Sequence, residues 1–475
     1  MYNKYDVIIV GAGPAGIFTA LELYKLNPQV KVLMLDSGLK IDKRTCPARK
    51  LGHCVNCKPC NIMSGWAGAG AFSDGKLTLS EDVGGNLTDY LSPKQVRELI
   101  KYTDSIYLKY GATEEVFGLG DPKVDEIKYE CSRYNLKLIP CPVRHMGTEL
   151  GLQVLESMYD ALASRAGFTF LERATATQLI VEDGRITGVF YEDKNGETLQ
   201  ANADYVVACP GRGGARWLNG VSRENGLEIA NNEVDIGVRV EVPNSIMDHL
   251  TSHLYEAKII YYSDTFESKV RTFCMNPGGL VSEEHYDGGL AVVNGHSYAD
   301  KSLHTGNTNF ALLVSTKFTQ PFNQPIEYGR YIAQLGNTLT GGGIMVQRLG
   351  DLLKGRRTDV SRLKKSTTEP TLTTAVPGDL SFVLPHRHLT SIIETIKALD
   401  NIAPGIYSKN TLLYGVEVKF YSSKVKVDND MRTAIDGLYA IGDGAGVTRG
   451  LIQASASGVI AARDIVKRAG NGEER

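Results

Sequence analysis

Residues 5–36 read YDVIIVGAGPAGIFTALELYKLNPQVKVLMLD, and the order of features in this stretch decides the fold. Residues 5–10 are apolar and largely β-branched and stop at Gly11, as a short buried strand does. Residues 14–26 carry Ile17, Leu21 and Leu23 on a helical repeat, and residues 30–35, VKVLML, read as a second strand. Strand, helix and strand in so short a span form a βαβ unit, with its two strands parallel and joined by a right-handed crossover. Between the first strand and the helix stands Gly11-Ala12-Gly13-Pro14-Ala15-Gly16, a G-x-G-x-x-G string, and Asp36 falls 20 residues after Gly16 at the end of the second strand. That is the whole context a dinucleotide-binding turn requires.

Each residue has a physical task. Gly11 allows the tight turn, Gly13 lets backbone approach a pyrophosphate, and Gly16 lets the helix close on the strand. Pro14 and Ala15 open a helix whose first N–H groups and partial positive charge face the phosphates. Asp36 is placed to accept hydrogen bonds from a ribose diol.

Outward from this unit, the chain of 475 residues is long enough for two to four domains. Hydrophobic residues at 42% and charged residues at 22% describe a globular protein, not a disordered or fibrous one. A net charge of −2 argues against a polybasic surface built for nucleic acid or anionic lipid, so no nucleic-acid partner is expected. No run of about 18 uncharged apolar residues is present, so membrane insertion is not expected. Residues 7–21 resemble the apolar part of a secretion signal, but Asp6 interrupts the start and no A-x-A-like cleavage site follows, so a cytoplasmic location is expected. The 50 glycines exceed the usual share of roughly 7% and ask where backbone must pass close to something.

Residues 40–90 are rich in Gly, Cys, Ser and Asn and read as a ligand-handling loop region. Residues 94–110 and 150–165 read as helices, and 168–208 as strands joined by Asp183-Gly184 and Asn195-Gly196 hairpin turns. Residues 234–330 look strand-rich, 345–365 basic and partly helical, 389–400 helical and 412–427 extended. The chain closes with a strand at 438–441 and a helix over about 451–469.

The C-terminal segment separates the possible dinucleotides. Thr433 to Asp443 reads TAIDGLYAIGD, a strand ending in Gly442-Asp443, followed by the loop GAGVTRG and a helix. This segment resembles the second FAD motif of the glutathione-reductase-like flavoproteins, which implies that Asp443 meets the ribityl chain. Tyr205–Gly214, YVVACPGRGG, resembles the middle motif of the same superfamily through Ala208 and Gly211, with Pro210 where Thr is usual. Ala176 matches the position whose backbone meets the adenine. More narrowly, CVNCKPC (54–60), GAGAFSDGKLTL (68–79), RHMGT (144–148), NGHS (294–297), GVEVKF (415–420) and GLYAIGDGAGVTRGLIQASASG (437–458) resemble a group of bacterial FAD-dependent dehydrogenases. The resemblance implies an α/β fold with a Rossmann-like parallel sheet in a three-layer arrangement, a mixed or antiparallel substrate domain, and FAD as cofactor. The FAD domain would be discontinuous, over 1–92, 146–238 and 405–475, with 93–145 and 239–404 as the substrate or cap region.

By the same resemblance Gly65, Gly68, Gly70 and Gly75 wrap the pyrophosphate and the flavin edge. Gly450, Leu451 and Ile452 open the last helix and would aim free N–H groups at the flavin N1/O2 edge, where the helix dipole favours negative charge. The small residues Ala454, Ser455, Ala456, Ser457 and Gly458 would let that helix pack beneath the ring. No second G-x-G-x-x-G follows a strand, so a separate nicotinamide domain is not expected.

On the substrate side, Glu417 and His145 are the candidate catalytic groups, with His296 and Lys419 beside them, because a general base near neutral pH is most often His or a tuned carboxylate. Arg144, Arg239, Arg271 and Arg348 are candidate carboxylate clamps, with ordinary ion pairs as the competing reading. Lys76 reads as either a phosphate contact or a surface residue, and His249 and His253 share a helical spacing without a completing ligand. Cys46, Cys54, Cys57 and Cys60 allow an iron–sulfur cluster, a zinc site or metal-free thiols. The expected chemistry is hydride or electron transfer through flavin N5, with a small organic substrate and an external electron donor or acceptor. A single-component flavin monooxygenase and a non-catalytic binder of the GDP-dissociation-inhibitor type are the alternatives. Halogenation is disfavoured because Trp66 and Trp217 lie in no G-W-x-W-x-I-P motif.

Overall fold

A computed structural model of the chain describes residues 4–47, 55, 57–286, 289–298, 300–421 and 423–470. It divides into two compact units, one of residues 1–115, 144–232 and 421–475, the other of residues 116–143 and 233–420.

The first unit is built on a seven-stranded sheet in the order Phe168–Glu172, Val32–Asp36, Lys4–Val10, Thr198–Ala208, Arg185–Glu192, Thr175–Glu182, with Leu438–Ala440 also pairing with Thr198–Ala208. The expected βαβ unit is present: Lys4–Val10 pairs in parallel with Val32–Asp36 across helix Pro14–Leu26. The register aligns the carboxyl ends. Val10 lies opposite both Leu35 and Ala208, and Ala440 lies opposite Ala208. The loops after these four strands therefore emerge side by side, at the edge where open parallel sheets take ligands. The hairpins of 175–208 form as their turn residues dictate, with positive φ at Asp183, Gly184 and Gly196.

The second unit carries an eight-stranded, mostly antiparallel sheet in the order Val376–Pro377, Met345–Arg348, Leu412–Lys419, Val234–Pro243, Asn307–Thr316, Lys269–Asn276, Ile259–Tyr262, Lys137–Leu138. Ile236, Val238, Val240 and Val242 alternate toward an apolar core that helix His386–Leu399 joins through Ile392, Ile396 and Leu399. The alternate residues Asp235, Arg239 and Glu241 are buried on the opposite side of the same strand.

The boundaries differ from those expected. Residues 93–115 belong to the first unit, because helix Pro93–Lys109 buries Val96, Leu99, Ile100, Thr103 and Tyr107 in that unit, with Tyr107 bonded to Ser455 of the last helix. Residues 233–238 and 405–420 belong to the second, because Val234–Pro243 and Leu412–Lys419 are neighbouring strands of its sheet. The strand-rich stretch 234–330 also contains helix Asn244–Leu254 and the start of helix Pro325–Thr340, and the extended stretch 412–427 breaks after Lys419. Helix Pro122–Arg133, capped by Asp121 and burying Val124, Ile127 and Cys131 at a helical spacing, is not among the expected helices.

Candidate functional site

The four aligned strand ends frame the site of the first unit. At the first, a Cβ on Gly11 would overlap the Cys209 carbonyl and one on Gly16 would overlap the Gly11 carbonyl, so both positions demand glycine for packing. A Cβ on Gly13 would meet nothing within 4 Å, and the same holds for Gly211 after the Thr198–Ala208 strand. The space beside Gly13 is compatible with the close ligand approach expected from its place in the motif. Helix Pro14–Leu26 starts without a side-chain cap, and its first internal bond is from Ile17 N–H to Gly13 O (3.0 Å). The N–H groups of Ala15 and Gly16 consequently have no carbonyl a turn earlier within the helix.

Asp36 ends the second strand and orders three loops at once. Its Oδ2 accepts the Ala12 N–H (2.9 Å), and its Oδ1 accepts those of Gly38 (2.8 Å) and Gly65 (2.7 Å). A carboxylate offers about four acceptor positions, so the ribose role expected for Asp36 is compatible with this structural one. The Ala174 N–H bonds the Asp36 carbonyl (2.9 Å), which sets Ala176 two residues into the adjoining hairpin.

The glycine-rich segment after Gly65 folds back on the turn. Ala67 N–H bonds Ala12 O (2.7 Å), and a Cβ on Gly68 would stand 3.3 Å from the Gly13 Cα. A Cβ on Gly70 would stand 2.7 Å from Leu451 Cδ2, so this segment also meets the start of the last helix. Gly75 lies further off, packed on Gly147 and Met146. Arg44, which no sequence motif singles out, is the clamp of this segment. It is buried and donates to the carbonyls of Asn61 (2.9 Å), Ile62 (2.7 Å) and Trp66, and burial lowers its pKa to about 10. Trp66 is a core residue, its indole N–H bonded to Leu155 O (2.9 Å), and Trp217 bonds Thr177 O (2.9 Å).

At the fourth strand end, Gly442 adopts φ 73, ψ −167, a region open to glycine alone, and a Cβ there would press on that of Ala15. The Asp443 carboxylate accepts from Thr448 Oγ1 (2.7 Å) and stays partly exposed. Helix Leu451–Gly470 follows, and its first internal bond is from Ala454 N–H to Gly450 O (3.0 Å), leaving the N–H groups of Leu451, Ile452 and Gln453 in the unpaired first turn. Gln453, another residue without a sequence signal, is fully buried and bonds Val83 O (3.0 Å), Glu81 O (3.3 Å) and Leu87 N–H (3.4 Å), tying the 81–87 loop to this helix end. The small residues that follow pack on helix Pro14–Leu26, where a Cβ on Gly458 would overlap the Ala15 carbonyl. The Cys209 thiol donates to Gly11 O (3.3 Å), and burial pushes its pKa far up, so it stays protonated beneath the turn.

These features fit FAD. Open backbone at Gly13 and Gly211, two helix ends with unpaired N–H groups and two partly exposed carboxylates are the kinds of group that bind a diphosphate and sugar hydroxyls.

The substrate-side candidates behave differently. Glu417 is fully buried in the second unit, with its oxygens held by Arg239 Nε (2.8 Å) and Nη2 (2.9 Å) and with Lys419 Nζ at 3.2 Å. Both oxygens of the carboxylate expected as a general base are engaged by this bidentate partner. Arg239 is correspondingly not a substrate clamp, since it also bonds Asn309 (2.7 Å) and the Cys274 carbonyl (3.1 Å). Arg144 is occupied by a bidentate pair with Asp104 (2.8 and 2.7 Å), Arg271 by Asp235, and Arg348 by the Arg362 carbonyl (2.8 Å). Lys76 pairs with Asp74 (2.8 Å). His249 bonds Ile402 O (2.7 Å) and His253 bonds Asp121 (2.6 Å), so the two do not form a metal pair. His145 ends strand Val143–His145 in a half-buried position, and the His296 ring stands edge-on to Tyr298 at 4.9 Å. Of the cysteine cluster, Cys46, Cys57 and Cys60 are free thiols and Cys54 lies outside the described residues. Among the described residues no group of three or more His, Cys, Asp or Glu is arranged to hold a metal.

Residues 136–241 match the FAD binding domain family, and residues 233–420 match the family described as FAD-dependent protein, C-terminal domain-like. Both family descriptions name FAD, the cofactor that the site above fits. An uncharacterized protein of Clostridium beijerinckii is 28% identical over 98% of this chain and 81% of its own length. Solved structures that align along the chain include the 3-ketosteroid-delta4-(5alpha)-dehydrogenase of Rhodococcus jostii (12% identity, 97% of this chain and 96% of that one, TM-score 0.45). A quinol fumarate reductase of E. coli aligns at 14% identity over 99% of this chain and 71% of that one, with TM-score 0.42.

Proposed function

We propose that the protein is a cytoplasmic dehydrogenase or reductase that passes hydride or electrons through flavin N5, between a small organic substrate and an external donor or acceptor. One observation carries this reading: four strand ends and the N-terminus of helix Leu451–Gly470 converge on one sheet edge, with unpaired N–H groups where a flavin would place its phosphates and its pyrimidine edge. When bound, FAD supplies the redox chemistry, accepting or donating two electrons at N5.

The residues supply binding and electrostatics. Asp36 holds the Ala12, Gly38 and Gly65 loops in one arrangement. Ala15 and Gly16 present donors to the diphosphate. Asp443, oriented by Thr448, would accept from the ribityl hydroxyls. Leu451 and Ile452 would direct their N–H groups and the helix dipole at the flavin edge that gains negative charge on reduction.

The purified protein is expected to be yellow and to release an adenine-bearing flavin on heating. Asp443→Ala should weaken FAD binding roughly tenfold to a hundredfold, as expected for a lost hydrogen bond to a charged group. After anaerobic reduction, slow return of the oxidised spectrum in air supports a dehydrogenase. Rapid return coupled to oxygenated product would favour a monooxygenase. A protein that stays colourless after reconstitution with FAD would overturn the reading.

A further inference from the structure

The basic stretch noted in the sequence takes no part in the flavin site. Residues 354–365, KGRRTDVSRLKK, carry six basic residues against one acidic, in a chain whose net charge is −2. The segment is anchored from below. Asp351 is fully buried and accepts from Arg356 Nε (2.8 Å) and Thr358 Oγ1 (2.9 Å). Thr358 Oγ1 accepts the Arg348 N–H (3.0 Å), Thr358 N–H reaches Gly378 O (3.0 Å), and the Gln347 amide donates to Arg356 O (2.9 Å). Leu363 packs on the small apolar cluster that includes Val346 and Leu412. A merely solvated charge run needs no such footing.

What the anchored segment displays is a mixture. Lys354, Arg357, Lys364 and Lys365 are exposed and form no ion pair among the described residues. Beside them Val360 is 60% exposed and Leu353 41% exposed. Arg357 Nη2 bonds Pro377 O (3.2 Å), which holds the following turn, Leu380–Phe382, close to the same surface, and Phe382 is 73% exposed. Cations alone would suit any polyanion. Cations interleaved with outward-pointing aliphatic and aromatic side chains suit an interface that is negatively charged at its surface and apolar just beneath.

We propose that this surface of the second unit docks peripherally on an anionic lipid bilayer. The lysines and arginines meet headgroup phosphates, and Phe382, Val360 and Leu353 enter the headgroup region. The overall charge hid this feature because acidic residues elsewhere offset it. No helix among the described residues is long and apolar enough to cross a membrane, so the contact is with the surface.

The test is sedimentation of the full-length, flavin-loaded protein with phosphatidylcholine vesicles, with and without phosphatidylglycerol. Binding should require phosphatidylglycerol and fall with added salt. Arg357→Glu/Lys364→Glu/Lys365→Glu should weaken it roughly tenfold or more, and Val360→Ser/Phe382→Ser should weaken it several-fold at unchanged charge. The control Lys94→Glu/Lys101→Glu/Lys109→Glu, on another exposed face, should leave it unchanged. These residues are exposed, so flavin content and thermal unfolding should match the parent in every variant. Absence of binding to phosphatidylglycerol vesicles would overturn the proposal. So would equal loss with the control variant, or retention on polyglutamate without vesicle binding, which would point to an acidic protein partner.

Discussion

Asp36 and Glu417 are both carboxylates with two occupied oxygens, yet their surroundings differ in kind. Asp36 is met by three backbone N–H groups from loops at a sheet edge and keeps part of its surface open. Glu417 is met by a guanidinium and an ammonium inside a sheet and keeps none. Backbone donors are fixed in place by the chain and still leave acceptor capacity for a ligand. Side-chain cations saturate the carboxylate and neutralise it. The first arrangement builds a binding edge, and the second builds a core that happens to be charged.

The sharpest way to break this comparison is to remove one partner of the buried pair. Arg239→Ala leaves Glu417 buried and uncompensated and should cost about 3–5 kcal/mol in urea unfolding. The apolar pair Arg239→Met/Glu417→Leu should recover most of that loss. A Glu417→Gln variant of parental stability that lost turnover alone would return Glu417 to the chemistry. Asp36→Ala comes next. It orphans three loop N–H groups at about 1–3 kcal/mol for each that finds no water, so roughly 3 kcal/mol in total is expected, together with a loss of FAD affinity. If stability fell while flavin affinity measured on folded protein held, Asp36 would be structural in the same sense as Glu417.

The contrast also explains what can be read in advance. Gly11, Gly13, Gly16, Asp36 and Gly442-Asp443 are legible because turn geometry and close backbone approach are local demands, answered by residues a few positions apart. Arg239 and Glu417 are 178 residues apart in sequence and meet through strand pairing. No local pattern distinguishes a glutamate awaiting substrate from one awaiting an arginine across a sheet. Arg44 and Gln453 escape notice for a related reason: each bonds main-chain carbonyls of an irregular loop, and carbonyls carry no sequence signature. The boundary at residue 92 fails because helix Pro93–Lys109 declares its amphipathic face but not the element that face covers.

A smaller effect separates the units by pH. In the second unit, burial, with Arg387 nearby, lowers the pKa of His388 from 6.5 to about 4, and the neutral ring shares a hydrogen bond with Thr316 Oγ1 (2.9 Å). In the unfolded chain the ring protonates near 6.5. The stability it confers is therefore complete above that pH, declines by up to about 1.4 kcal/mol per unit as the pH falls, and is lost near 4. A net loss of about 3 kcal/mol is expected across this window, and His388→Gln should flatten it. If the slope persisted unchanged in that variant, the acid sensitivity would have to be sought elsewhere, including at the carboxylates of the binding edge.

The smallest expected effect decides what the small residues of the last helix are for. The small residues of the Ala454–Gly458 run are expected to let the last helix pack beneath the flavin; in the structure the run closes on helix Pro14–Leu26, and Ser455 Oγ bonds the buried Tyr107 hydroxyl at 3.0 Å. Burial raises the Tyr107 pKa well above its ordinary value, so the hydroxyl stays neutral and needs its partner. Ser455→Ala removes that partner without changing volume much, and should cost about 1 kcal/mol of stability while leaving FAD affinity as it was. The opposite pattern, unchanged unfolding with weakened flavin binding, would mean that this face of the helix serves the cofactor directly.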